Sequence, residues 1–126
     1  MERDADMERA LPAIAAMAER SATAQQKFAP GTAQHTLLEN RTHALRIAAA
    51  LIEQALGGQR GAPGFPKAAL QKAQAPIASL TSKSEKARKK LAPGSWQHTM
   101  LTENIRALRL AAPLLETALG QKETST

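Results

Sequence analysis

The sequence predicts an all-α fold, a four-helix bundle built from two tandem, pseudo-symmetric antiparallel helical hairpins. Strong helix formers such as Ala, Leu, Gln and Lys dominate the 126 residues, while Val and Tyr are absent. Residues 28–57 also match residues 91–120 at 17 of 30 positions without a gap. This duplication predicts a single domain, 1–126, in which each copy supplies two helices.

Each copy contains one break, where Ala-Pro-Gly is followed by a hydroxyl residue. We expect a turn there, because Gly adopts positive φ readily and a Thr or Ser hydroxyl can cap the next helix. A Gln-His pair follows, whose side chains commonly bond back to the backbone of such a turn. The predicted turn and cap residues are Pro30, Gly31, Thr32, Gln34 and His35 in the first copy and Pro93, Gly94, Ser95, Gln97 and His98 in the second.

The helix bounds follow from these breaks and from the glycines that end each copy. We expect the first helices to reach about Phe28 and Leu91, and the second helices to run over about 33–56 and 96–119, stopping at Gly57 and Gly120. Repeat 1 then covers about 10–57, a linker 58–66, repeat 2 about 67–120, and a C-terminal tail 121–126. Pro12 and Pro76 lie near the expected helix starts, which we expect to be irregular.

The apolar pattern predicts how these helices pack. The second helix of the first copy carries its Leu, Ile and Ala residues within one arc, while the first helix has a narrower stripe. One hairpin is too small to bury both faces, so we expect two hairpins around one core. Arg41 and its counterpart Asn104 lie inside the arc, where the arginine extends to solvent or a polar contact fixes the docking.

Composition narrows the function. There is no Cys, which excludes disulfides and thiolate chemistry, and aromatic residues are only 2%, too few for an aromatic pocket or a base-stacking platform. No apolar run approaches the roughly 20 residues of a membrane span. The stretch Ala10–Ala18 is preceded by mixed charges and recurs in mid-chain, so it does not predict a signal peptide. We expect a cytoplasmic protein with no membrane association.

No motif in the sequence predicts catalysis, so we expect no enzyme activity, no catalytic residue, no metal and no cofactor. The sharpest alternative is a metal or small-ligand site at His35 and His98, if a pseudo-twofold axis brings them together. Capping is the favoured reading, because Glu39 becomes Thr102 in the second copy. A further repeated set is interpreted as a solvated polar edge: His35, Arg46 and Glu53, with His98, Arg109 and Glu116.

The charge of the chain is concentrated in its second copy. The net charge is +6; residues 1–57 carry 6 Lys/Arg against 7 Asp/Glu, whereas residues 66–126 carry 10 against 4. The predicted contacts to an acidic partner or a nucleic acid are Lys83, Lys86, Arg88, Lys89, Lys90, Arg106 and Arg109. The competing interpretation is that cations at a helix end complement its dipole.

Trp96 replaces Ala33 of the first copy, and it either plugs the end of the bundle or anchors a partner. We expect a non-enzymatic protein-interaction or regulatory module, monomeric or homodimeric. The alternative is a nucleic-acid-binding accessory protein that uses the basic face of the second repeat.

Overall fold

The computed structural model of the chain describes residues 2–57 and 64–124. It contains four helices: α1 Glu2–Gln25, α2 Ala33–Leu56, α3 Lys67–Lys89 and α4 Trp96–Thr124. No strand occurs in this part of the chain. The all-α prediction is confirmed at this level, with two helices in each copy. The first part of the predicted linker, 58–63, and the last two residues of the predicted tail lie outside the described residues.

Both interhelical turns use a glycine and a hydroxyl. Gly31 and Gly94 have φ of 91° and 92°. Thr32 Oγ1 accepts the backbone N–H of His35 at 3.2 Å, and Ser95 Oγ accepts that of His98 at the same distance. The hydroxyls therefore satisfy backbone donors that a helix start leaves without an intrahelical partner.

The first helices end slightly before the predicted positions, at Gln25 and Lys89 rather than at Phe28 and Leu91. The backbone N–H of Phe28 bonds to the carbonyl of Gln25 at 3.1 Å, and that of Leu91 to the carbonyl of Arg88 at 3.1 Å. Such i→i+3 bonds tighten a helix end into a 3₁₀-like turn, which the apolar pattern does not reveal.

The stop predicted at Gly120 is wrong, because α4 continues through this residue to Thr124. A single glycine costs a helix only about 1 kcal/mol, and Gln121 and Lys122, both good helix formers, follow it. Gly57, which a second glycine follows, does end α2.

The expectation of irregular helix starts at Pro12 and Pro76 is also wrong. α1 begins at Glu2, so Pro12 lies well inside the helix, as Pro76 does in α3. Asp4 in the first turn of α1 and Asp6 just after it suit a helix N-terminus because they complement its dipole. The helical segment of the first copy therefore starts earlier than residue 10.

One core joins all four helices. α2 contacts each of the other three, α4 does the same, and α1 and α3 make no contact with each other along the described residues. The largest fully buried side chains are Ile14, Leu45, Ile52, Leu70, Ile105 and Leu108. Burying one such side chain contributes roughly 1.5–3 kcal/mol. The Leu/Ile/Ala faces of both copies therefore hold the helices together. No described helix has the length and apolar content needed to cross a bilayer.

Candidate functional site

The lysines of the basic run lie on the last turns of α3. Lys83, Lys86 and Lys89 are exposed on the helix, and Lys90 is the exposed residue at its C-terminal end. None of these four ammonium groups forms an ion pair with a described residue. The spacing of three residues between Lys83, Lys86 and Lys89 keeps them on neighbouring parts of one surface. This end of α3 therefore presents a cluster of uncompensated positive charge.

The arginines grouped with this run have different surroundings. Arg88 is half-buried and its Nη1 lies 3.4 Å from Thr102 Oγ1. Arg109 pairs with Glu85 of α3 at 3.3 Å. Arg106 lies 3.7 Å from Glu103 and faces a groove shared with α1. The structure thus brings Arg109 beside the lysines of α3 and puts Arg106 on another part of the surface.

A groove of about 590 Å³ runs between α3 and α4 beside the lysines, and we call it the α3/α4 groove. Its apolar lining residues are Ile77, Ala78, Leu108, Ala112 and Leu115. Its charged lining residues are Glu85, Lys86, Lys89, Arg109 and Glu116. Ile77, Leu108 and Leu115 form the buried floor of the groove, and Ala78 and Ala112 are its accessible apolar residues. On its charged rim, Lys86, Lys89 and Glu116 form no ion pair with a described residue, so the unpaired charge is net positive.

Sequence reasoning identified the cations of this groove but missed its apolar lining. Leu108 and Leu115 belong to the same apolar arc as the rest of the core, so nothing in the pattern separates a groove wall from a core position. The small side chains of Ala78 and Ala112 are the sequence feature that matches the groove. They do not predict it, because alanines are common throughout this chain.

The two copies differ most at the rim of this groove. The first copy has uncharged residues at the positions equivalent to Lys86, Arg88 and Lys89. These residues, 63 positions earlier, are Thr23, Gln25 and Gln26. The first copy thus lacks these three cations and keeps only Arg20 and Lys27, the counterparts of Lys83 and Lys90. The equivalent turn of the first copy has the same hydroxyl cap without these three cations.

Trp96 is the first residue of α4 and its side chain is 70% exposed. It therefore does not plug the end of the molecule, and that half of the alternative is wrong. A large indole held in a helical first turn and open to solvent suits a contact with a partner. The other exposed large hydrophobic residues in the described part of the chain, Phe28 and Leu37, are less exposed, at 39% and 49%.

The Gln-His pairs do not act as the sequence suggested. Gln34 and Gln97 are exposed, and the capping bonds come from the Thr32 and Ser95 hydroxyls instead. The Nε2 atom of His35 lies 3.3 Å from Gln25 Nε2. Its Nδ1 atom lies 3.8 Å from Glu39 Oε2. This ring therefore joins the end of α1 to the start of α2.

The remaining polar positions form no compact site. Among the described residues, no three His, Asp or Glu side chains are grouped as a metal site requires. On the proposed polar edge, Arg46, Glu53 and Glu116 are exposed. Arg41 is half-buried, and Asn104 is buried at the equivalent position of α4.

The arrangement at the α3/α4 groove offers apolar, hydrogen-bonding and ionic contacts to a ligand. Its polar residues are lysines, an arginine, glutamates, a glutamine and hydroxyl residues, and the described part of the groove holds no histidine. No protein-family model, curated protein or solved structure matches the chain at a significant level.

Proposed function

We propose that the chain is a non-enzymatic protein-interaction module, and that its α3/α4 groove binds an acidic amphipathic helix of a partner protein. The observation that carries the proposal is the combination of an apolar lining with unpaired lysines on the rim. Helix-in-groove recognition needs an apolar strip on one side and complementary charge at its borders. The groove offers both on the exposed side of the second copy.

The proposed architecture behind this site is a pseudo-symmetric four-helix bundle of two hairpins. Backbone hydrogen bonds of the first turn recur 63 residues later between equivalent donors and acceptors. The N–H of Thr36 bonds to the carbonyl of Thr32 at 3.1 Å, and the N–H of Thr99 bonds to the carbonyl of Ser95 at 3.0 Å. Burial recurs in the same way, because every buried residue of α3 has a buried counterpart in α1. Those counterparts are Met7 for Leu70, Ala10 for Ala73, Ile14 for Ile77 and Ser21 for Ser84.

Contacts between the copies support hairpins that point in opposite directions. Arg9, near the start of α1, bonds to Glu103, near the start of α4, at 2.7 Å. Asn40, near the start of α2, lines a groove with Lys72, near the start of α3. Each interhelical turn then lies toward the open end of the other hairpin, and a pseudo-twofold axis perpendicular to the helices exchanges the two copies.

The charge pattern favours an acidic partner segment. Lys86 and Lys89 have no carboxylate partner among the described residues, whereas Arg109 is already paired with Glu85. Unpaired cations at the border of an apolar contact accelerate association with an acidic segment and discriminate against basic ones. Lys83 and Lys90 extend the same positive region beyond the groove.

Nucleic acid is the second candidate, and the four unpaired lysines are the observation that favours it. Two features of the groove make it the weaker one. Its apolar lining adds nothing to a contact with phosphates, and the described groove has no aromatic side chain for stacking.

The direct test uses a display library of helical peptides with randomised faces, selected against the full chain. We expect enrichment of peptides with apolar residues at i, i+3 or i+4, and i+7, bordered by Asp or Glu. The matched variant is Lys86→Thr with Lys89→Gln, which installs the residues of the first copy. Two rim charges together contribute about 1.4 kcal/mol, so this variant should bind the selected peptides about tenfold more weakly.

The control is Lys27→Gln with Lys67→Gln, which removes two exposed lysines that do not line the groove and should leave peptide affinity unchanged. Selection of no peptide, or equal binding to the Lys86→Thr/Lys89→Gln variant, would contradict the proposal. A fluorescent 20-base-pair duplex serves as the comparison ligand. Steeply salt-dependent duplex binding that Lys86→Glu with Lys89→Glu abolishes would favour the second candidate instead.

A further inference from the structure

Two further grooves lie where the hairpins meet. The α1/α4 groove is lined by Asp6, Arg9, Ala10, Glu103, Arg106, Ala107, Arg109 and Leu110. The α2/α3 groove is lined by Asn40, His43, Ala44, Arg46, Ile47, Phe65, Ala68, Ala69, Lys72 and Ala73. Every residue of the first set has its counterpart, 63 positions away, in the second set. The two grooves therefore lie at equivalent positions of the two copies and differ in their side chains.

The α1/α4 groove contains its own carboxylate. Glu103 Oε1 lies 2.7 Å from Arg9 Nη2 and 3.7 Å from Arg106 Nη1. This carboxylate links α4 to α1 and compensates two cations at once. A charge-assisted bond of this length is among the stronger hydrogen bonds in proteins.

The α2/α3 groove has kept the nitrogen groups and lost the carboxylate. Asn40 occupies the position equivalent to Glu103 of the other groove. Lys72 is equivalent to Arg9, and His43 is equivalent to Arg106. Its described lining contains no acidic residue, and Lys72 forms no ion pair with a described residue. The groove therefore presents nitrogen groups without the anion that accompanies them in its counterpart.

Apart from Arg46, the rest of the α2/α3 groove is apolar. Phe65, two residues before α3, packs against the core, and Ile47 and several alanines complete the wall. The groove measures about 480 Å³, within the roughly 300–1,000 Å³ range of small-molecule sites. Its counterpart has a second acidic residue, Asp6, at the position of Ala69.

We propose that the α2/α3 groove binds a small amphipathic carboxylate. The ligand's carboxylate occupies the position that the Glu103 side chain has in the other groove, beside Lys72 and His43. Its apolar body lies against Phe65 and Ile47. This site is separate from the α3/α4 groove, so it does not depend on the partner helix proposed above.

The probe is sodium octanoate, titrated into the full-length ¹⁵N-labelled chain and followed by amide chemical shifts, with octylamine as the cationic control. We expect saturable octanoate shifts confined to the starts of α2 and α3, and no matching response to octylamine. Asn40→Glu supplies the internal carboxylate of the other copy. It should weaken octanoate binding by about fivefold or more, because the ligand must then displace or approach a fixed negative charge.

Lys72→Gln removes the exposed cation and should weaken octanoate binding about two- to fivefold. Glu103→Asn is the reciprocal variant, and it should create new octanoate shifts at the starts of α1 and α4. Helix content measured by circular dichroism confirms that each variant is folded, and Asn40→Glu alone suffices if Glu103→Asn does not fold. The proposal is overturned if octanoate shifts no residue of the groove, if the shifts spread through the core, or if Asn40→Glu binds octanoate as the unmodified chain does. Peptide binding at the α3/α4 groove is measured separately, so either proposal can fail alone.

Discussion

Gly31 and Gly94 hold the two turns in a backbone conformation that L side chains rarely adopt. Their φ values of 91° and 92° lie in the left-handed region, and open space surrounds the position where a Cβ would be. The cost of any substitution here is therefore conformational and not steric. Gly120 has equally open surroundings but lies inside α4 with no positive φ.

Alanine substitutions at these glycines should have opposite effects on stability. We expect Gly94→Ala to lower the free energy of unfolding by about 1–2 kcal/mol, because a Cβ is unfavourable at positive φ. Gly120→Ala should raise it by about 0.5–1 kcal/mol, because glycine is a poor helix former. Urea denaturation of both variants measures the difference, and equal signs would contradict this account of the turn.

Trp96 provides a second residue-scale prediction. With its side chain 70% exposed, Trp96→Ala should change the free energy of unfolding by no more than about 0.5 kcal/mol. A tryptophan that plugged the end of the molecule would cost about 3–5 kcal/mol on truncation. Acrylamide should quench the fluorescence of this single tryptophan readily. A blue-shifted, protected emission would show that the ring is buried.

At the scale of single helices, the sequence predicts the starts that have a hydroxyl cap best. The starts of α2 and α4 coincide with the predicted residues, since Thr32 and Ser95 are recognisable caps. The end predicted for α4 is wrong because a single glycine is a weak helix stop when good helix formers follow it. Pro12 was misjudged because proline discourages a helix by only a few kcal/mol, which a buried face can offset.

Pro113 of α4 tests how much strain such a helix carries. The residue is exposed, and its counterpart in α2 is Ala50. Proline is about 3 kcal/mol less favourable than alanine inside a helix, measured against the unfolded chain. We therefore expect Pro113→Ala to stabilise the chain by about 2–3 kcal/mol in thermal or urea unfolding. Ala50→Pro should destabilise it by at least as much, and an unchanged stability in both would contradict this estimate of strain.

At the scale of the whole molecule, the sequence predicts the number of helices but not the direction in which the hairpins meet. An apolar stripe fits a neighbour from either direction, so periodicity alone cannot choose between parallel and opposed hairpins. The opposed arrangement proposed above is supported by contacts such as Arg9 with Glu103, whose counterparts Lys72 and Asn40 carry no matching charges. The lysines of the α3/α4 groove could be predicted from the sequence. The groove itself could not, because its shape depends on how α3 and α4 pack.

The division of one core between two similar halves leads to a final prediction. α2 and α4 contact each other as well as both outer helices, so a hairpin without its partner exposes the side on which Leu45 and Leu108 are buried. We expect the fragment 1–57 alone to lose helix content on dilution, because a helix pair of this size cannot bury enough apolar surface. Mixing it with the fragment 64–126 should restore helix content and give a one-to-one complex in light scattering. Because the buried positions repeat, the fragment 1–57 should also form a weaker homodimer at high concentration. A fragment that stays monomeric and fully helical at low concentration would mean that each hairpin has a sufficient core of its own.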